Sequence, residues 1–334
     1  MKKMMALILT VTLCSMVLVS CGSSNTASSG NTPSPEVGTS PLSPLSNEVY
    51  YFVNYNSGID YWNDLKDGFQ SAADIFGAKV VFSGATEYDI TQAVTVLDQV
   101  IATNPTGISV AVMNADAYVT SIETAIENGI TVVTVDSDSS ASGRATFLGT
   151  GNYAAGVSAA RALVEGMGTS GSVGLVASPG QENLDQRAAG FIDTLTNEYP
   201  GIKVVQEVNG AANADTAYTA TAAMLQAHPE ITGVYAVCAD NGVGALTAID
   251  ESGRDSEISF VSFDVDDALL DAVKAGKCDA LIAQNAWNMG FWSFIELYLE
   301  AHGCTVQPNG ISVLPENIDT GTVIVTAENA DSFR

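Results

Sequence analysis

Basic side chains are scarce in this chain: 12 Lys and Arg stand against 38 Asp and Glu, a formal net charge of −26 over 334 residues. A surface that acidic repels phosphate backbones, which excludes nucleic acid as a partner. Histidine is scarcer still. His228 precedes Pro229 and His302 precedes Gly303, both at the ends of helical patterns, where capping or helix-dipole roles suffice. No Ser-His-Asp order, P-loop, zinc signature or G-x-G-x-x-G fingerprint occurs, so neither a cofactor nor a metal is expected. Of five cysteines, Cys14 and Cys21 lie near the start. The other three, Cys238, Cys278 and Cys304, lack metal-ligand spacing and are odd in number for a disulfide framework. They read as small buried or edge residues, with a Cys278–Cys304 bridge left open. Beyond residue 20 no apolar run approaches the roughly 18 residues of a membrane helix.

What the chain does have begins at its N-terminus. Lys2 and Lys3 precede an apolar run from Ala6 to Val19, too short to span a bilayer comfortably and suited to a cleaved export signal. The run ends in Leu18-Val19-Ser20-Cys21, which resembles the lipobox of bacterial lipoproteins. The resemblance implies a signal over residues 1–20, lipid on Cys21 and a mature protein anchored to the cell membrane outside the cytoplasm. An ordinary secretory signal with an incidental cysteine is the alternative. Residues 22–46 are dominated by Gly, Ser, Thr, Asn and Pro and cannot bury enough surface to fold. With Cys21 they read as a disordered tether over 21–46, reaching roughly 25–30 Å on average.

From Glu48 onward, short β-branched runs alternate with longer amphipathic ones. Strands are expected over 49–53, 79–83, 107–112, 131–135, 172–177, 202–208, 232–237, 258–263 and 278–283. Helical patterns lie between them, among them 60–76, 90–102, 183–199, 214–227 and 266–275. Strands that are apolar throughout suit parallel sheets covered on both faces, so the fold class is α/β. A weak internal repeat divides it. Tyr51-Phe52-Val53 followed by Gly68-Phe69 is echoed by Gly174-Leu175-Val176 followed by Gly190-Phe191. Val135-Asp136-Ser137-Asp138 is echoed in the same way by Phe263-Asp264-Val265-Asp266. Two related lobes, each with its ligand loops at the carboxyl ends of parallel strands, enclose a cleft.

Several motifs in this order carry a resemblance: the aromatic pair before Lys66-Asp67-Gly68-Phe69, Val135-Asp136, the segment from Asn183 to Phe191, Gly244-Ala245-Leu246, Phe263-Asp264 and Ile282-Ala283-Gln284. Together they resemble the sugar-binding solute receptors of bacterial ABC transporters, of the ribose-binding type, over roughly residues 48–334. The resemblance implies two doubly wound parallel-sheet lobes joined by a three-segment hinge. Lobe 1 would then comprise 47–149 and 285–318, and lobe 2 would comprise 150–284 and 319–334. It implies a monomer that captures a small molecule, with an ABC permease as partner.

The resemblance also places the binding residues. Tyr61 and Trp62 match an aromatic pair that flanks the ligand, although either ring could instead pack inward on the following helix. Asp136, at the end of an apolar run, matches a ligand-binding aspartate, though an aspartate there could also cap the next helix. Phe263 and Asp264 match an aromatic–carboxylate pair, and Gln284 a glutamine on the hinge side. Three positions depart from the pattern. Ser137 stands where many relatives have arginine, Asp185 falls at the counted position of another arginine, and Cys238-Ala239-Asp240-Asn241 blurs the place of an asparagine. Asn183, Asp185 and Asp240 join the candidates on that basis, while Arg187 is expected to brace the second lobe and Arg144 is the other nearby cation. Carboxylates accept hydroxyl hydrogens, amides donate and accept, and aromatic faces cover C–H surfaces, which together suit a polyol. With almost no cation the set points to a neutral sugar or polyol.

Asp136 and Asp264 could imitate the acid pair of a glycosidase, but a two-lobed binding pattern already accounts for them, and no enzyme is expected. Ligand-sensing repressors of this fold carry a basic DNA-binding helix-turn-helix where this chain has an export signal. The remaining alternative is a receptor that reports its ligand to a sensor kinase or chemoreceptor.

Overall fold

A computed structural model describes residues 47–333, apart from 59, 60, 308 and 311. The signal, Cys21 and the tether therefore lie outside the described residues. The chain from Val49 to Val325 runs β1 Val49–Asn54, α1 Tyr61–Phe76, β2 Lys79–Gly84, α2 Ile90–Ala102, β3 Gly107–Val110, α3 Ala115–Glu127, β4 Thr131–Val135 and β5 Phe147–Gly149. It continues α4 Asn152–Met167, β6 Gly171–Ala177, α5 Glu182–Glu198, β7 Ile202–Asn209, α6 Ala214–Ala227, β8 Ile231–Ala236, α7 Ala239–Ser252, β9 Ser259–Phe263, α8 Asp267–Lys274 and β10 Ala280–Gln284. Then come α9 Ala286–Ala301, β11 Asn317–Asp319 and β12 Thr322–Val325.

Local chemistry sets the helix starts. Asp89, Asn114, Asn213 and Asp266 sit in extended backbone just ahead of α2, α3, α6 and α8, and each side chain accepts a first-turn N–H. Short Asp and Asn side chains favour this position because they satisfy donors the helix itself leaves open. The strands follow the other rule: β3 is buried at all four of its residues and β9 at its last four, as expected for sheets covered on both faces.

Two six-stranded sheets result, in the orders β2-β1-β3-β4-β5-β11 and β7-β6-β8-β9-β10-β12. The pattern of the first five strands repeats between sheets, and each sheet is completed by a strand from the end of the chain. All pairings are parallel except β10 with β12, which is antiparallel. This is the two-lobe, doubly wound fold.

The Gly-Phe repeat has a packing cause. A Cβ on Gly68 of α1 would stand 2.0 Å from the Trp287 carbonyl oxygen of α9, and one on Gly290 of α9 would stand 1.9 Å from the Leu65 oxygen of α1. In the second lobe a Cβ on Gly156 of α4 would lie 2.1 Å from the Arg187 oxygen of α5, and one on Gly190 would lie 2.1 Å from that of Tyr153. Each lobe thus joins two helices backbone to backbone through reciprocal glycines, and Phe69 and Phe191 beside them are fully buried.

The chain passes between the sheets three times, at residues 150–151, 285 and 320–321. These crossings are bonded to one another. The Gly151 N–H donates to Asp319 Oδ1 at 2.7 Å, Asn285 Nδ2 donates to the Thr320 oxygen at 2.8 Å, and Thr150 Oγ1 donates to Gln284 Oε1 at 2.7 Å. Among the described residues no helix is long and apolar enough to cross a membrane.

Candidate functional site

Each sheet ends at the cleft in an aspartate. Asp136 follows β4 with φ +67°, and Asp264 follows β9 with φ +66°. Their backbone N–H groups make equivalent bonds, to the Leu148 oxygen at 2.9 Å and the Ile282 oxygen at 3.0 Å. The left-handed conformation costs an L-residue about 1 kcal/mol and is tolerated best by short polar side chains. Two such residues at matching places are the kind of backbone outlier that collects at functional sites.

Both carboxylates are held. Tyr61, in the first turn of α1, donates its hydroxyl to Asp136 Oδ1 at 2.6 Å, and Gln284 Nε2 donates to Asp264 Oδ1 at 2.8 Å. Gln284 is itself oriented by the Thr150 hydroxyl, bonded to its other amide atom at 2.7 Å. Arg187 of α5 is only 3% exposed and near enough for its charge to act on Asp136. Its guanidinium carbon stands 3.6 Å over the centre of the Phe263 ring, its Nε donates to Asn152 Oδ1 at 2.8 Å and its NH1 to the Val237 oxygen at 3.0 Å.

Burial pushes the Asp136 carboxyl up to about 6. The Tyr61 hydrogen bond and the Arg187 charge oppose that rise, while the Asp264 charge adds to it. Tyr61 and Tyr55 are both held well above the ordinary phenol value, by burial first and then by Asp136. Asp240 is raised by burial and then by Asp266 and Asp264. These groups form one electrostatic cluster, in which Arg187 partly compensates the carboxylates.

A cleft of about 470 Å³ opens beside Asp136, bordered by Tyr55, Tyr88, Asn114 and Arg144 on one side and by Asn152 and Asn183 on the other. Arg144 is not free there. It grips Asp138 through Nε at 2.8 Å and NH2 at 2.5 Å, and it donates to the Glu316 oxygen at 2.7 Å.

The residues named from sequence separate into groups. Tyr61, Asp136, Phe263, Asp264 and Gln284 come together, and Asn183 borders the cleft. Trp62 is fully buried, its ring centre 5.0 Å from that of Tyr55 and 5.1 Å from that of Tyr61, so it packs into the first lobe's core. Asp185 is exposed and accepts the Gly180 N–H at 3.1 Å, which fastens its own loop. Asp240 is exposed in the first turn of α7. The buried amide next to it is Asn241, whose Nδ2 donates at 3.1 Å to the Val176 and Ala177 oxygens and to Ser178 Oγ. Arg187 bonds Asn152 and Val237 within the second lobe, and its charge also acts on Asp136, so a buried guanidinium stands beside the candidate residues. Tyr55 was missed, although a residue directly after the first strand is where an α/β sheet presents a ligand group. Cys278 is buried against β9 while Cys304 is exposed beyond α9, and both are free, which removes the bridge left open above.

Residues 50–303 match the family model described as the periplasmic binding protein domain. The chain belongs to that family. The ribose import binding protein RbsB of Bacillus subtilis (strain 168) is 27% identical over 296 residues, covering 87% of this chain and 90% of its own. The arabinose-binding protein AraP of Geobacillus stearothermophilus superposes with a TM-score of 0.82 at 39% identity, over 86% of this chain and 99% of that one. A sugar-binding protein of a sugar ABC transporter from Bacillus halodurans also gives 0.82, at 36% identity over 86% and 100%.

Chemically, the aspartate pair is equipped to accept hydrogen bonds. Each carboxylate is fixed through one oxygen by a protein donor, which orients it while leaving further lone pairs for hydroxyl hydrogens. The guanidinium stacked on Phe263 is held by an amide and a carbonyl, so it is pre-set rather than ordered on binding.

Proposed function

We propose that this periplasmic binding protein captures a neutral sugar or polyol between its lobes and delivers it to an ABC permease. The observation that carries the reading is the matched pair Asp136 and Asp264, presented in the same backbone conformation at the carboxyl edges of the two sheets, with the Arg187 charge acting on Asp136. A polyol offers hydroxyls to both carboxylates and to the guanidinium and places C–H surface on aromatic rings. An anionic ligand would add to the repulsion that Asp264 already exerts on the buried Asp136 carboxylate, so sugar acids and phosphates fit poorly. The names of RbsB and AraP, which specify ribose import and arabinose binding, support the same class of ligand.

The protein acts as a carrier, not a catalyst. Ligand engages one lobe, the hinge closes, and closure is favoured only by the extra affinity of the closed form. Lipid on Cys21 keeps the carrier at the outer face of the cell membrane, within a tether's reach of the permease.

A thermal-shift screen of the purified protein against pentoses, hexoses, polyols, sugar acids and sugar phosphates tests this. A neutral sugar at a hundredfold its Kd adds about 2.7 kcal/mol of stability. A response confined to acids or phosphates would reject the reading.

A further inference from the structure

We infer that the cleft takes a sugar longer than one ring, with a second neutral unit lying against Tyr88. This rests on the sugar-capture reading and names the substrate class of the same site. A monosaccharide has about twelve heavy atoms or fewer and fills roughly 150–200 Å³ at the packing density of organic solids. The cleft beside Asp136 measures about 470 Å³, and Phe263, Asp264 and Gln284 are not among the residues bordering it. That volume, more than twice what one ring needs, is bordered by Asp136 and Tyr88 on the first lobe and by Asn183 and Gln186 on the second.

Its walls suit a second sugar. Tyr88 is 61% exposed, with its ring centre 5.9 Å from that of Tyr55 in an edge-to-face arrangement, so a rigid aromatic face stands open at the rim. Such a face covers the C–H side of a pyranose or furanose ring. Across from it the second lobe offers Asn183 and Gln186, amides that donate to and accept from hydroxyls. The extension carries no charge suited to an anion. Its one basic side chain among the described residues, Arg144, is already paired with Asp138, while Glu182 and Glu316 also border it. The second unit is thus neutral.

The test is calorimetric titration of the purified protein with matched pairs: L-arabinose and α-1,5-arabinobiose, D-xylose and xylobiose, D-galactose and lactose, D-glucose and cellobiose. The expected result is one disaccharide binding at least tenfold more tightly than its own monosaccharide. In Tyr88→Ala that ratio falls at least fivefold, and in Tyr88→Phe it is kept. Monosaccharides that bind while every disaccharide binds more weakly would overturn the inference and leave sugar capture standing. Binding of no saccharide here, with silence also in the thermal-shift screen of pentoses, hexoses and polyols, would overturn sugar capture itself. A ratio unaffected by Tyr88→Ala would overturn the placement of the second unit at Tyr88.

Discussion

Asp136 and Asp264 are backbone twins: each is the first residue after a core strand, with φ of +67° and +66°, and each donates its N–H to the neighbouring strand of its own sheet. Equivalent position makes them separable by mutation. Asp136→Asn and Asp264→Asn keep side chains that tolerate the left-handed backbone but lose the charge. Each is expected to weaken binding of the ligand that the thermal-shift screen returns by about 1.5–3 kcal/mol, tenfold or more, with an unchanged far-UV spectrum. Titration calorimetry decides it, and unaltered affinity in either variant removes that residue from the site.

Asp136 also ties stability to pH. Its folded carboxyl is pushed up to about 6 from an ordinary value of 3.8, so across that window the folded protein holds a proton that the unfolded chain has released. Stability contributed by this group is therefore present below 3.8 and lost as pH rises toward 6. Chemical denaturation from pH 4 to pH 7 is expected to show wild type losing more stability than Asp136→Asn over that range. Parallel curves would place the carboxyl in a better-solvated environment.

Arg187 is the side chain whose replacement should do most harm. Arg187→Lys retains a charge but not the fork that reaches Asn152 and the Val237 oxygen, nor the planar group over Phe263. Affinity is expected to fall more than tenfold, together with a lower Tm. Arg187→Met leaves the buried Asn152 Oδ1 and Val237 oxygen without their donor and is expected to cost about 1–3 kcal/mol of stability. Equal Tm for wild type and both variants would exclude a bracing role.

The reciprocal glycines give a packing test. In Gly190→Ala a methyl group would meet the Tyr153 carbonyl oxygen 2.1 Å away, which forces α4 and α5 apart. The expected loss is about 1–3 kcal/mol, read as a lower midpoint in urea without a change in slope. Gly68→Ala does the same to α1 and α9 in the other lobe.

Nine strands were legible because most are runs rich in Val, Ile and other apolar residues, and β4 falls on residues 131–135 as read from sequence. β5, β11 and β12 were not. β5 and β11, at three residues, are too short to show a period, and β12, four residues like β3, is an edge strand buried only at its last residue; all three exist because neighbouring strands offer them partners. The Gly-Phe repeat was visible, but its meaning needed Gly156 and Gly290, which become neighbours only once the helices cross. At the site, an aspartate ending an apolar run could be picked out by pattern alone. Whether Trp62 faces a ligand or the core depends on helix phase, which a two-residue aromatic pair does not specify. Arg187 was undervalued because Phe263, the ring beneath it, is distant in sequence, and stacking across that separation leaves no mark in either segment.

Gln284 belongs to two machines at once. It closes β10 at one crossing between the lobes, it is bonded to Thr150 at another, and it holds the Asp264 carboxylate in place. A change of angle between the lobes therefore re-aims an acceptor in the binding site, with no lever in between. In the proposed carrier such a linkage would make loading and unloading opposite strokes of one mechanism. A permease that prises the lobes apart would loosen its cargo by the same movement, without needing to compete for it.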